Sequence, residues 1–194
     1  MKKTNRNTLR NLCIVAGCAL IVGALALLIL SVASRSLYRF RCAEYVSAIG
    51  ATLPPVENAV PEPGRNNTMP VLPVEGVDFV ALLELPAFQT RLPVCNQWGS
   101  PEKYPCRFTG SAYDGTLIVG VQEHLFPAAE QLYVGDLLTL TDMTGNRFSY
   151  RIANIEIHEN VEAETLQDTD HPLTLFVKHS FSSKYTVLRL DVAL

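Results

Sequence analysis

Charge is missing from one long stretch of this chain and thin over much of the rest. Between Asn11 and Ser34 there is no Asp, Glu, Lys or Arg, and residues 12–33 are an almost unbroken run of Leu, Ile, Val, Ala, Gly and Cys. Such a run exceeds the roughly 20 apolar residues needed to cross a bilayer, so it predicts one membrane-spanning helix at residues 11–34. The formal net charge is −3 and no basic run occurs beyond the N-terminal tail. A nucleic-acid binder would carry a basic patch or stripe, so that class is excluded. No Cys-x-x-Cys occurs and the four His residues stand at no ligand spacing, so neither a metal site nor a cofactor is expected. Helical periodicity is scarce after Val77, apart from a short turn predicted at Pro127 to Leu132.

Lys2, Lys3, Arg6 and Arg10 precede the apolar run, and Arg35, Arg39 and Arg41 follow it. With the amino terminus counted, the bias favours a cytoplasmic tail at residues 1–10 and an extracellular remainder, a single-pass plasma-membrane topology. A cleaved signal peptide would begin with the same charges, but its apolar core spans about 7 to 15 residues and this one is longer. Val15-Ala16-Gly17-Cys18 has the small-residue pattern of a lipoprotein cleavage site. Only Asn11 to Val15 separate it from Arg10, too short an apolar core, so Cys13 and Cys18 are read as apolar residues of the helix.

Beyond the membrane, residues 35–49 carry Leu37, Phe40, Tyr45, Val46 and Ile49 at helical spacing and predict a juxtamembrane stalk. Cys42 lies in it, either as a free thiol or as a link to a second chain. Residues 50–76 hold Pro54, Pro55, Pro61, Pro63, Pro70 and Pro73 and a polar patch from Gly64 to Asn67. Proline at this density is incompatible with a helix or a sheet interior, which predicts an extended spacer holding the domain off the membrane. The globular domain is then residues 77–194. Its apolar stretches, Val77 to Leu85, Thr116 to Val121, Leu137 to Leu140, Phe148 to Ile157, Leu173 to Val177 and Tyr185 to Val192, are short and rich in β-prone residues. Turn signals such as Asp114-Gly115 and Thr144-Gly145-Asn146 separate them. Many short strands at this spacing predict an all-β sandwich or barrel.

Ten residues separate Cys95 from Cys106. In an extracellular domain two cysteines bracketing a loop predict a disulfide. Glu156, Glu159, Glu162, Glu164, Asp168 and Asp170 follow one another without Lys or Arg. Clustered carboxylates suit calcium, but the spacing matches no defined loop, and a solvated acidic segment is the favoured reading.

Four stretches, in order, resemble the sortases, the membrane-anchored cysteine transpeptidases of Gram-positive bacteria. Residues 80–94, "VALLELPAFQTRLPV", are similar to the family's opening strands. Residues 106–124, "CRFTGSAYDGTLIVGVQEH", resemble the strand leading to its catalytic histidine. Residues 132–157, "LYVGDLLTLTDMTGNRFSYRIANIEI", resemble its Val-Gly-Asp turn and following hairpin. Residues 173–190, "LTLFVKHSFSSKYTVLRL", resemble its Thr-Leu-x-Thr-Cys strand and the return strand bearing its arginine. The resemblance implies a closed sortase-like barrel of about eight strands after one N-terminal transmembrane helix. It also implies envelope partners: a sorting-signal-like peptide, a pilin or an active sortase.

In that family a Cys thiolate attacks the peptide carbonyl of a sorting signal, a His shuttles the proton and an Arg stabilises the oxyanion or positions the substrate. Carried over residue by residue, the cysteine position falls on Lys178, the histidine on Gln122 (or Val121 with a shifted gap) and the arginine on Tyr185, beside Lys184. Arg189 matches a downstream position, not the catalytic one. A lysine that attacked a peptide carbonyl would form another amide, and the acyl transfer that a thioester permits would be lost. The resemblance therefore implies a pseudo-sortase with no assigned catalytic residue. Its groove would be bordered by Val121, His124, Phe126, Lys178, Ser180 and Phe181, with Phe88, Trp98 and Tyr185 as further apolar wall candidates. On a strand consecutive side chains point to opposite faces, so His179 is expected to turn away from Lys178. An enzyme with a rearranged site, such as a Ser180/His124 pair, and a purely structural ectodomain are the alternatives.

Overall fold

The structure, a computed structural model, describes residues 3–62, 68–99, 101, 103–126, 131–161, 163–167, 170–180 and 182–193. Phe181, the turn predicted from Pro127, the Gly64 to Asn67 patch, and Glu162 and Asp168 of the acidic segment lie, in whole or in part, outside the described residues. One helix, α1 (Lys3–Thr52), leads into ten strands: β1 (Glu57–Ala59), β2 (Leu72–Val74), β3 (Val77–Leu85), β4 (Thr90–Cys95), β5 (Cys106–Thr109), β6 (Leu117–Gln122), β7 (Leu137–Asp142), β8 (Asn146–Glu159), β9 (Leu173–Lys178) and β10 (Lys184–Val192), with a single turn α2 (Ala163–Leu166) before β9.

The chain divides into two compact units, the first ending at Leu37 and the second running Tyr38–Leu194. In the first unit α1 is long and apolar enough to cross a membrane. Its Leu, Ile and Val side chains are exposed, which water disfavours and lipid accepts.

The second unit begins with the rest of α1, and here the structure differs from a free stalk. Tyr38, Cys42, Tyr45 and Ile49 recur at three- and four-residue intervals and form the stripe that a helix presents to a core. Cys42 joins the main core cluster, and Tyr45 and Ile49 pack on Phe79 and Leu82 of β3. Burying a side chain of this size stabilises by about 1.5–3 kcal/mol. Phe40, counted in the sequence-level pattern, faces solvent. The helix stops at Thr52 because Pro54 and Pro55 follow; Thr52 Oγ1 donates back to the Ile49 carbonyl at 2.9 Å. The proline-rich segment also packs instead of standing off. β1 pairs in parallel with the start of β8 and β2 antiparallel with β3, and Met69 is buried. Proline tolerates such outermost strands because one side of each needs no donor.

Eight strands close a ring. β8 is hydrogen-bonded to β10, β10 to β9, β9 to β6, β6 to β5, β5 to β4, β4 to β3, β3 to β7, and β7 returns to β8. The closed barrel expected from the sequence is present. Alternation along the strands fills its interior: Leu117, Val119 and Val121 of β6, Leu173, Leu175 and Val177 of β9, and Leu188 and Leu190 of β10 lie in one cluster with Leu83, Leu140, Phe148 and Tyr150. The link between β4 and β5 is the thinnest in the ring, a single register pair, Cys95 with Cys106. The predicted disulfide joins those same two residues.

Candidate functional site

The residues that alternate away from the interior on β8, β10, β9 and β6 form an outer face, and strand register arranges them in three rows. At the rim stand His158, Tyr185, Lys178 and Gln122; below them Glu156, Val187, Phe176 and Gly120; below those Asn154, Arg189, Thr174 and Ile118. The three positions where the resemblance sets the family's Cys, His and Arg are thus neighbours in one row. Lys178 is exposed at the end of β9, and its Nζ lies 6.0 Å from the centroid of the Tyr185 ring. That contact is a cation–π pair at the outer limit of useful distance.

Apart from Glu156 at its β8 end, the middle row is apolar, and aromatic rings cap its β6–β9 side. Phe176 lies 5.3 Å from Trp98 and 5.9 Å from Phe108, and Trp98 meets Phe108 edge-on at 5.5 Å between centroids. Gly120 makes room for the stack: a Cβ there would come within 2.3 Å of both Phe176 and Trp98. Trp98 nevertheless keeps 42% of its surface in solvent. The lowest row is closed over. Arg189, buried, donates from Nη1 to Thr174 Oγ1 (3.1 Å) and the Leu166 carbonyl (3.0 Å) and from Nη2 to the Thr165 carbonyl (2.6 Å). It ties α2 to the sheet, and Leu166 packs against Ile118, Phe176 and Val187.

His179 turns to the opposite face from Lys178, as strand alternation requires. Its Nε2 lies 2.8 Å from Thr186 Oγ1 and its Nδ1 3.3 Å from Glu123 Oε1. The Ser180 N–H donates to Glu123 Oε2 at 2.7 Å, and the Glu123 N–H donates to the Lys178 carbonyl at 3.0 Å. The Ser180 amide, aided by His179, holds the Glu123 carboxyl below its ordinary range against the opposing effect of burial. Carboxylate, imidazole and hydroxyl follow one another as in a hydrolytic relay. Thr186, however, is only 4% exposed, so its hydroxyl is out of reach of a substrate carbonyl and the array serves to fix the β9–β10 connection onto the end of β6. Nothing in the sequence announces it, because Glu123 and His179 lie 56 residues apart.

The other residues expected at a groove divide. Val121 and Phe126 are buried in the barrel core; alternation sends Val121 inward, and Phe126 follows on a turn that folds back over the barrel end. The His124 ring lies beside Tyr38 (6.2 Å between centroids), and its carbonyl accepts from Arg39 Nε at 2.6 Å. Ser180 is tied through its backbone to Glu123 instead of meeting that imidazole. Phe88 is half-buried against the core, while Tyr185 and Trp98 stand on the outer face. Glu156 of the acidic segment is 2.9 Å from His158 Nε2 and 3.8 Å from Arg189. Among the described residues no three His, Cys, Asp or Glu side chains gather as a metal site.

None of the five cysteines belongs to β6, β8, β9 or β10. Cys13 and Cys18 lie in the apolar helix, Cys42 is buried with its Sγ 3.4 Å from the Lys103 carbonyl, and Cys95 and Cys106 are bonded to each other. Burial also removes Cys42 from cross-linking a second chain.

Sortases are among the solved structures that share this fold. The chain is similar to the sortase D5 transpeptidase of Clostridium perfringens, with 17% identity and a TM-score of 0.52 over 60% of this chain and 80% of that one. It is similar to sortase A of Corynebacterium diphtheriae, with 15% identity and a TM-score of 0.52 over 84% and 85%. With sortase C1 of Streptococcus suis the values are 15% and 0.50 over 60% and 73%. No protein-family model and no curated protein matches the sequence.

Proposed function

We propose that this protein is a membrane-anchored pseudo-sortase, a sortase-fold ectodomain that binds an extended peptide or an envelope partner at the cell surface and does not transfer it. The observation that carries this reading is the rim row itself. Lys178, Gln122 and Tyr185 occupy adjacent positions on three hydrogen-bonded strands, in the register where the family resemblance calls for Cys, His and Arg. A thiolate is both a strong nucleophile and a good leaving group, and none of the five cysteines lies on β6, β9 or β10. The exposed Trp98 and the Tyr185 ring give a peptide something to lie against. The basic residues before the apolar helix favour a cytoplasmic amino terminus, and the Cys95–Cys106 bond agrees with an oxidising compartment outside a Gram-positive cell. A sorting-signal-like segment, a pilin or an active sortase would be such a partner.

The test incubates the full chain in detergent with a Leu-Pro-x-Thr-Gly-type peptide and a glycine-based amine, following product mass and binding together. The expected outcome is binding without any ligated or hydrolysed product, in the wild type and in Lys178→Ala alike. A product that forms in the wild type and disappears in Lys178→Ala would make this chain an enzyme with a rearranged site.

A further inference from the structure

The rim row is unusual in what its side chains are not doing. Lys178 has its cation–π contact with Tyr185, yet neither its ammonium, nor the Gln122 amide, nor the Tyr185 hydroxyl has a hydrogen-bond or ion-pair partner among the described residues. Three donor-bearing groups therefore stand side by side, on facing register positions of β6, β9 and β10. The carboxylates nearest in sequence and register are already engaged. Glu123 is held by Ser180 and His179, and Glu156 by His158, with Arg189 at 3.8 Å. An array of donors with one fixed positive charge and, among the described residues, no carboxylate paired to it is complementary to a carboxylate, whose two oxygens accept several hydrogen bonds at once.

The row beneath supplies the other half of the ligand. Phe176 lies one pleat away from Lys178 on the same face and the half-exposed Trp98 packs on it, so a group bound at the rim sets its neighbouring side chain against aromatic surface. Building on the peptide-binding reading above, we infer that Lys178, Gln122 and Tyr185 form a receptor for the free C-terminal carboxylate of a peptide whose last side chain is apolar and packs on Trp98. An internal peptide segment presents a neutral amide at that place and leaves the ammonium unmatched, so the site selects chain ends.

Trp98 is the only tryptophan, and its emission therefore reports on this face alone. The experiment titrates the full chain in detergent micelles with acetyl-Ala-Ala-Leu as the free acid, with the same tripeptide as its C-terminal amide, and with hexanoate. Lys178→Gln is titrated in parallel, with its melting temperature as the folding control. The free acid is expected to shift Trp98 emission saturably and to bind roughly tenfold or more tightly than the amide, the scale of one charge-assisted contact. It should also bind more tightly than hexanoate, and Lys178→Gln should abolish the preference for the acid while melting as the wild type does. Equal binding of acid and amide, or a preference that survives in Lys178→Gln, would overturn the carboxylate assignment and leave the peptide-binding reading standing. Hexanoate binding as tightly as the tripeptide acid would overturn the peptide end as the ligand. Silence of Trp98 towards every probe would overturn both this site and peptide binding at this face.

Discussion

Glu123 illustrates how a single side chain couples three parts of the barrel rim. One carboxylate oxygen accepts from the Ser180 amide and the other meets His179, which in turn reaches Thr186. Its pKa is lowered by folding, so its stabilising contribution is fully present above the ordinary carboxylate pKa and is lost as the pH falls through the depressed folded value. Glu123→Gln should therefore melt below the wild type at neutral pH, and the gap should close as the solution is acidified below the usual carboxylate range. Melting curves of both proteins between neutrality and strong acid check this; a gap that is constant with pH would mean that the charge of Glu123 is immaterial. The end of β9 at Lys178 was legible in the sequence, because an apolar stretch that stops at a polar residue marks it. The Glu123–His179–Thr186 array was not, since it is assembled by the parallel pairing of β6 with β9 and only strand register brings its members together.

Strands whose apolar residues form a continuous run were visible in the sequence: β3, β6, β7, β8, β9 and β10 appear within a few residues of their expected limits. β4 and β5 were not delimited from patterning. Pro93 interrupts the first, and the second is four residues long, below the length at which alternation is informative. The spacer reading of residues 50–76 failed for a related reason, because proline density marks exclusion from a sheet interior equally well for a free linker and for an outermost strand. Between elements, the aromatic stack over β6 depends on the bare Cα of Gly120. Gly120→Ala forces its new Cβ into Phe176 and Trp98, and the expected cost is about 1–3 kcal/mol, the usual range for overpacking. Both a lower melting temperature and a more solvent-exposed Trp98 emission spectrum should report it; an unchanged spectrum would mean that the rings accommodate the methyl without leaving the face.

At the scale of the molecule, ring closure is uneven. Most neighbouring strands share four or more register pairs, whereas β4 and β5 share one, and the Cys95–Cys106 bond sits on it. Reduction, or a Cys95→Ser/Cys106→Ser double substitution, is expected to lower stability by about 2–3 kcal/mol from loop entropy alone. Amide exchange should rise first in β4 and β5, where the loss opens the ring; exchange that rises uniformly would argue that the seam is supported by packing alone. The order of the ring also bears on time. β10, the last of the eight in chain order, lies between β8 and β9, so a growing chain lacks the piece that joins them until residues 184–192 have been made. Up to that moment β8 and β9 each present an unpaired edge, and the domain waits as an open, adhesive sheet before it becomes a barrel.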